Sequence, residues 1–126
     1  MKEKPVDVEA LTERVRAIAL ALPDATEKLS HGEPTFFVRG KQFASMDTYH
    51  HNSGHLAVVC NAEEGAQEAL VAAEPKHFFI PPYVGSRGWI GIRVDRGIAW
   101  TLVADLIAQA YRKTAMPKPR KPPPSF

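Results

Sequence analysis

The side chains in this sequence able to do chemistry are few, and their spacing argues for binding before it argues for catalysis. Four histidines, His31, His50, His51 and His55, fall near Asp47. His51 and His55 are four apart, a spacing that suits one metal ion on a helix. Gly54 and the neighbouring Asn52 and Ser53 make this segment a loop, and a loop does not fix such geometry, so no metal site is expected. Ser30 and His31 are adjacent on an extended segment, where side chains diverge, and do not form a nucleophile–base pair. Gly40-Lys41-Gln42 lacks the upstream glycine and the Ser or Thr of a phosphate loop. No pair of carboxylates is spaced for acid–base work. The single cysteine, Cys60, precedes Glu63 and Glu64, whose charges oppose a thiolate, so an inert buried thiol is expected. No catalytic residue, metal or cofactor is assigned.

The residues that remain are cationic and aromatic. Alternation along a strand at 89–94 places Ile90, Ile92 and Val94 on one face and Trp89, Gly91 and Arg93 on the other. Arg87 stands at the mouth of this strand, and Arg39 with Lys41 at a hairpin tip. Arginines and an indole on a bare sheet face can contact phosphates and stack bases. The plainer alternative is a packed Trp89 with its arginines on a solvated rim. A second grouping, His31, His50, His51, Tyr83 and Trp89, could line a pocket for a small molecule.

The elements that must carry these residues are legible in part. Leu11, Val15, Ile18 and Leu22 share one face of a first helix, with Asp7 as N-cap, Val6 and Leu11 as a hydrophobic staple and Pro23 as terminator. Thr35–Val38 and Gln42–Met46 read as strands around the turn Arg39-Gly40-Lys41, with Gly40 supplying a positive φ. Leu56–Cys60 reads as a strand. Asn61 and Glu64 read as a capping box for a helix through about Ala73. Pro81–Gly88 is a turn, and the last helix runs from about Trp100 to Thr114 with Val103, Ile107 and Ala110 or Tyr111 inward. Strands joined by short hairpins and mixed with helices give an α+β domain, a twisted antiparallel sheet with helices on one face.

Length and composition set the outer bounds. The 126 residues, 44% of them hydrophobic, suit one domain with one core. No apolar run reaches the roughly 20 residues of a bilayer span and no secretory leader is evident, so a cytoplasmic, non-membrane protein is expected. The net charge is +2, from 16 basic and 14 acidic side chains. Lys118, Arg120 and Lys121 lie in a Pro-rich tail at 116–126, following a domain at 1–115. Without those three the chain carries 13 basic against 14 acidic groups, near −1. The tail is expected to be extended and mobile, either an arm for an anionic partner or protein adaptor, or a solubilising end.

His31-Gly32-Glu33-Pro34-Thr35-Phe36-Phe37-Val38-Arg39-Gly40-Lys41-Gln42-Phe43-Ala44 resembles the signature of the MmcQ/YjbR family. The resemblance continues through His50-His51, through Pro81–Asp95, and in the closing Ala110-Tyr111-Arg112. It implies a fold similar to the frataxin homologue CyaY and to the double-wing DNA-binding domain of a phage transcription factor, and a role in DNA binding by analogy of fold. It supplies no catalytic residues to carry over. The chain departs from the family's pattern at Ala99 and Thr101, where acidic residues usually surround the Trp opening the last helix, and in its Pro-Lys-Arg tail. The leading expectation is a non-enzymatic nucleic-acid-binding domain using Arg39, Lys41, Arg87, Trp89, Arg93 and the tail. The rivals are a small-molecule site or enzyme pocket around the histidines, and an adaptor working through the tail.

Overall fold

The computed structural model describes residues 7–48 and 56–116. Helix α1 spans Val8–Leu20, and the Asp7 side chain accepts from the Ala10 amide, capping it as the sequence predicts. Val15 and Ala19 face the core, with Leu11 and Ile18 packed at its margin. Val6 lies outside the described residues.

Six strands follow: β1 (Thr26–Ser30), β2 (Glu33–Val38), β3 (Lys41–Thr48), β4 (Leu56–Cys60), β5 (Phe78–Phe79) and β6 (Ile90–Arg93). They pair antiparallel in the order β1-β2-β3-β4-β6-β5. Helix α2 (Ala66–Ala73) follows β4, and α3 (Trp100–Ala115) closes the described chain. The result is an α+β fold, an open antiparallel sheet with α1 and α3 against one face.

Residues directly opposite on antiparallel strands share a face. Phe36, Ala44, Cys60 and Ile90 pair in one row, and Met46, Val58 and Ile92 in the next. All are buried against Val15, Ala19, Val103, Ile107 and Ala110 from the two helices. Each large apolar side chain so buried is worth about 1.5–3 kcal/mol, which makes this layer the main source of stability. Arg16 of α1 ties the helix to β1 through a forked pair with Glu27, Nε to Oε1 at 2.5 Å and a second N–H to Oε2 at 2.8 Å. The Tyr111 hydroxyl of α3 donates to the Pro23 carbonyl at 2.6 Å, closing the same layer.

Strand β3 is irregular at one point. Phe36 pairs with Ala44 but Phe37 pairs with Gln42, so β3 carries one extra residue, Phe43, at a β-bulge. Phe43 and Ala44 are in consequence both buried, and the Phe43 ring meets Tyr111 edge-on at 5.6 Å.

Two elements differ from the sequence reading. Strand β1 has no counterpart in it; this is an edge strand of polar composition, with Leu29 75% exposed, so it lacks the alternation that reveals a half-buried strand. Asn61 and Glu64 do not form a capping box. Helix α2 begins after Gly65, whose φ is +83°, while Asn61 donates to the Thr114 hydroxyl at 3.0 Å and accepts from the Ala62 amide. The last helix is preceded by Ala99 with no side-chain cap, as its sequence implies.

Candidate functional site: a basic sheet end and an acidic sheet face

The working surface expected from alternation does not form. Trp89 precedes β6 instead of lying within it, and its indole is only 5% exposed. Arg93 does lie in β6, opposite Ala57, but its Nε is 3.8 Å from Asp95 Oδ1, and it is not among the residues lining the cleft that holds Trp89. Trp89 and Arg93 are therefore not two members of one exposed face. Alternation holds only while the chain remains a strand, and the turn before Ile90 breaks it.

The turn redirects Trp89 for identifiable reasons. A 3-10 helix at Val84–Arg87 ends at Gly88, whose φ of +86° is open to glycine at no steric cost. Gln67 of α2 donates to the carbonyls of Gly85 and Trp89 at 2.8 and 2.6 Å, fixing the turn against the helix. The Arg87 guanidinium lies 5.9 Å from the indole centroid, within cation–π range.

At this end of the sheet a cleft of about 900 Å³ is lined by Lys41, Arg87, Trp89, Arg112 and Lys113. Among the described residues four cationic side chains there face a single carboxylate, Glu63. Lys41 reaches it because of the bulge. It pairs with Val38, which faces the helices, so the extra residue turns Lys41 toward α3. Arg112 and Lys113 come from the last turn of α3, where cations complement the helix dipole. Lys113 Nζ also donates to the Ala62 carbonyl at 2.6 Å, tying α3 to the end of β4. Met116 stands on the same rim. Arg39 occupies the exposed hairpin tip beside it, with a φ of +52° before Gly40 at +76°, the pair of positive values that a tight two-residue turn requires.

The opposite face of the sheet carries a different cleft, of about 950 Å³. Its floor is the row Thr35, Ser45 and Val59, from three neighbouring strands. Glu33 and Asp47 follow two residues along on β2 and β3, and hence on the same face. The segment Pro81–Val84 forms one wall. His31 and Tyr83 both border this cleft, so two members of the expected small-molecule pocket meet there. Trp89 does not line it, and His50, His51 and His55 lie outside the described residues, as do Lys118, Arg120 and Lys121.

The structure brings together Lys41 of the hairpin and Arg87 of the strand mouth, the expected flanking groups, with Trp89, whose indole is not on the bare sheet face where alternation puts it. Sequence reasoning misses Arg112 and Lys113, which read as ordinary helix-end cations, and it misses the polar row on β2 and β3. That row is detectable, since Glu33-x-Thr35 and Ser45-x-Asp47 alternate with the apolar residues Pro34 and Met46. Among the described residues no group of His, Cys, Asp and Glu is arranged to hold a metal ion, and no helix is long and apolar enough to cross a membrane.

The family described as YjbR matches residues 20–113, about three quarters of the chain. The fold is similar to the crystal structure of Deinococcus radiodurans protein DR2400, which carries the domain DUF419. The TM-score is 0.70 at 17% identity, over 85% of this chain and 82% of that one. At that identity the likeness speaks for the fold alone. No curated protein matches the chain.

Proposed function

The chain belongs to the YjbR family, and we propose that it is a non-enzymatic nucleic-acid-binding domain that grips the phosphate backbone with the basic end of its sheet. The supporting observation is the convergence of Lys41, Arg87, Arg112 and Lys113 around one cleft against a single carboxylate. These cations come from the β2–β3 hairpin, the turn before β6 and the end of α3: Gln67 fixes the turn against α2, the Asn61 amide donates to the Phe43 carbonyl of β3, and the Asn61 and Lys113 side chains tie α3 to the end of β4. A preformed cationic cleft of this kind attracts any polyphosphate chain and releases its counterions. The tail adds Lys118, Arg120 and Lys121, three further cations for the same polyanion.

The buried indole has a consequence for specificity. With Trp89 largely covered and no other aromatic side chain among the described residues lining the cleft, base stacking contributes little and recognition falls on the backbone. The reading is therefore one of sequence-independent binding.

The test is fluorescence anisotropy with labelled single-stranded and duplex DNA across a salt series. Binding is expected at low salt and falls steeply as salt rises. Lys41→Ala and Arg87→Ala should each weaken binding equally for unrelated sequences and flatten the log–log salt slope by about 1. Arg93→Ala should leave the slope unchanged. Absence of binding to either form at low salt, or slopes indifferent to Lys41 and Arg87, would sink the proposal.

A further inference from the structure

One aromatic ring is left almost wholly in solvent by the fold, and it stands on the same turn as a cation of the basic cleft. We infer that Tyr83 stacks a base of the strand whose phosphates that cleft holds, a contact open to a single strand and closed to a duplex. The contact rests on the nucleic-acid reading above and adds to it the form of nucleic acid that is recognised.

Tyr83 is the central residue of a tight three-residue turn. Its φ of +65° and ψ of −68° bring the Val84 amide back to the Pro82 carbonyl at 2.8 Å. This is the rare γ-turn that a residue with a side chain adopts only under strain, whereas glycine takes positive φ freely. The tyrosine gives the core nothing in return, since it is 95% exposed. Strain kept at an exposed aromatic residue points to a use on the surface, because packing does not account for it.

The turn around the ring is held firmly. The Gly85 amide donates to the Pro81 carbonyl at 3.0 Å, and the Trp89 amide to the Val84 carbonyl at 3.3 Å. The Ser86 hydroxyl donates to the Tyr83 carbonyl at 3.0 Å. Together with the two bonds from Gln67, these contacts fix the segment against α2. Pro81 and Pro82 restrict the chain leading into it. A ring presented on such a support loses little freedom when it stacks.

Arg87 closes the same turn and lines the basic cleft, while Tyr83 borders the second cleft. One chain step and the rise of the 3-10 helix keep their α-carbons no more than roughly 10 Å apart. A strand seated by its phosphates on Arg87 therefore carries a neighbouring base to the tyrosine ring. In a duplex the faces of the bases are covered by their neighbours, and the ring has nothing to meet. In a single strand they are open. Inside the basic cleft Trp89 is covered, so the stacking surface lies beside that cleft and not within it. Every base has a π-face, so the contact selects single strands without selecting sequence.

The test uses the full chain and fluorescence anisotropy with three labelled probes of one length: a single strand, its duplex, and a single-stranded backbone abasic throughout. The wild type is expected to bind the single strand at least about fivefold more tightly than the abasic strand at equal salt. Tyr83→Gly removes the ring and relaxes the turn, so its Tm should not fall. It should erase the difference between those two probes while leaving duplex affinity and the salt slope unchanged. Tyr83→Phe should keep the difference. Equal affinity of the wild type for the based and abasic strands would overturn the stacking role. So would a Tyr83→Gly loss shared equally by all three probes, or Tyr83→Phe as weak as Tyr83→Gly. Each of these outcomes would leave the phosphate grip standing; failure of every probe to bind at low salt would overturn both.

Discussion

Cys60 sits at the end of β4 with its thiol fully buried, and burial pushes its pKa from 9.0 up to about 12. Desolvation disfavours the thiolate and nothing nearby compensates it. The folded protein should be inert to thiol reagents at neutral pH and titrate one thiol only when unfolded. The sign of the linked stability effect follows from the raised value. The unfolded thiol ionises near pH 9 while the folded one stays neutral, so stability is level below about 9 and falls as pH climbs toward 12. The stability difference between the wild type and Cys60→Ala should therefore narrow across that window, measured by denaturant unfolding. A gap that stays constant from pH 8 to 11 would contradict it. Glu33 offers the opposite lesson at the same scale, since hydrogen bonds from Thr48 keep a covered carboxylate in a fixed position.

Among the elements, the connection between β5 and β6 does most to define the exposed sheet face. Gly91 lies in β6 on that face, directly under the ring of Phe79; a Cβ there would come within 2.3 Å of the ring. Gly91→Ala should therefore push Phe79 aside and cost about 1–3 kcal/mol, read as a fall in Tm. In a Phe79→Ala background the same change should cost little; an equal cost in both backgrounds would show that the clash is not the cause. Elements with a clean period are legible in the sequence. Helices α1 and α3, the β2–β3 hairpin, β4 and the inward isoleucines of β6 all follow from spacing, capping or the glycine at a turn. Those that resist such reading do so for physical reasons. Strand β1 is polar because it is an edge, and Asn61 serves α3 instead of capping α2 because its partner is 53 residues away. No local pattern announces the turn that takes Trp89 out of β6, and that is why alternation alone puts its indole on the exposed face.

For the molecule as a whole, the two clefts divide the charge: cations gather at one sheet end, with carboxylates on the face away from the helices. A net charge of +2 conceals that separation. Truncation after Met116 removes Lys118, Arg120 and Lys121 while leaving the basic cleft, so nucleic-acid affinity should fall and the salt slope flatten by up to about 3, without loss of binding. Complete loss would assign the activity to the tail alone, and an unchanged slope would exclude the tail from contact.

The bulge at Phe43 also makes the chain sensitive to length as well as to identity. Deleting Gln42 would restore plain alternation with Ala44 still opposite Phe36 and Lys41 still opposite Val38, so the Phe43 ring would swing from the core to the face that carries Glu33 and Asp47. A variant one residue shorter, with every charged group retained, would thus leave a void beside Tyr111 and set a phenyl ring out on the acidic face.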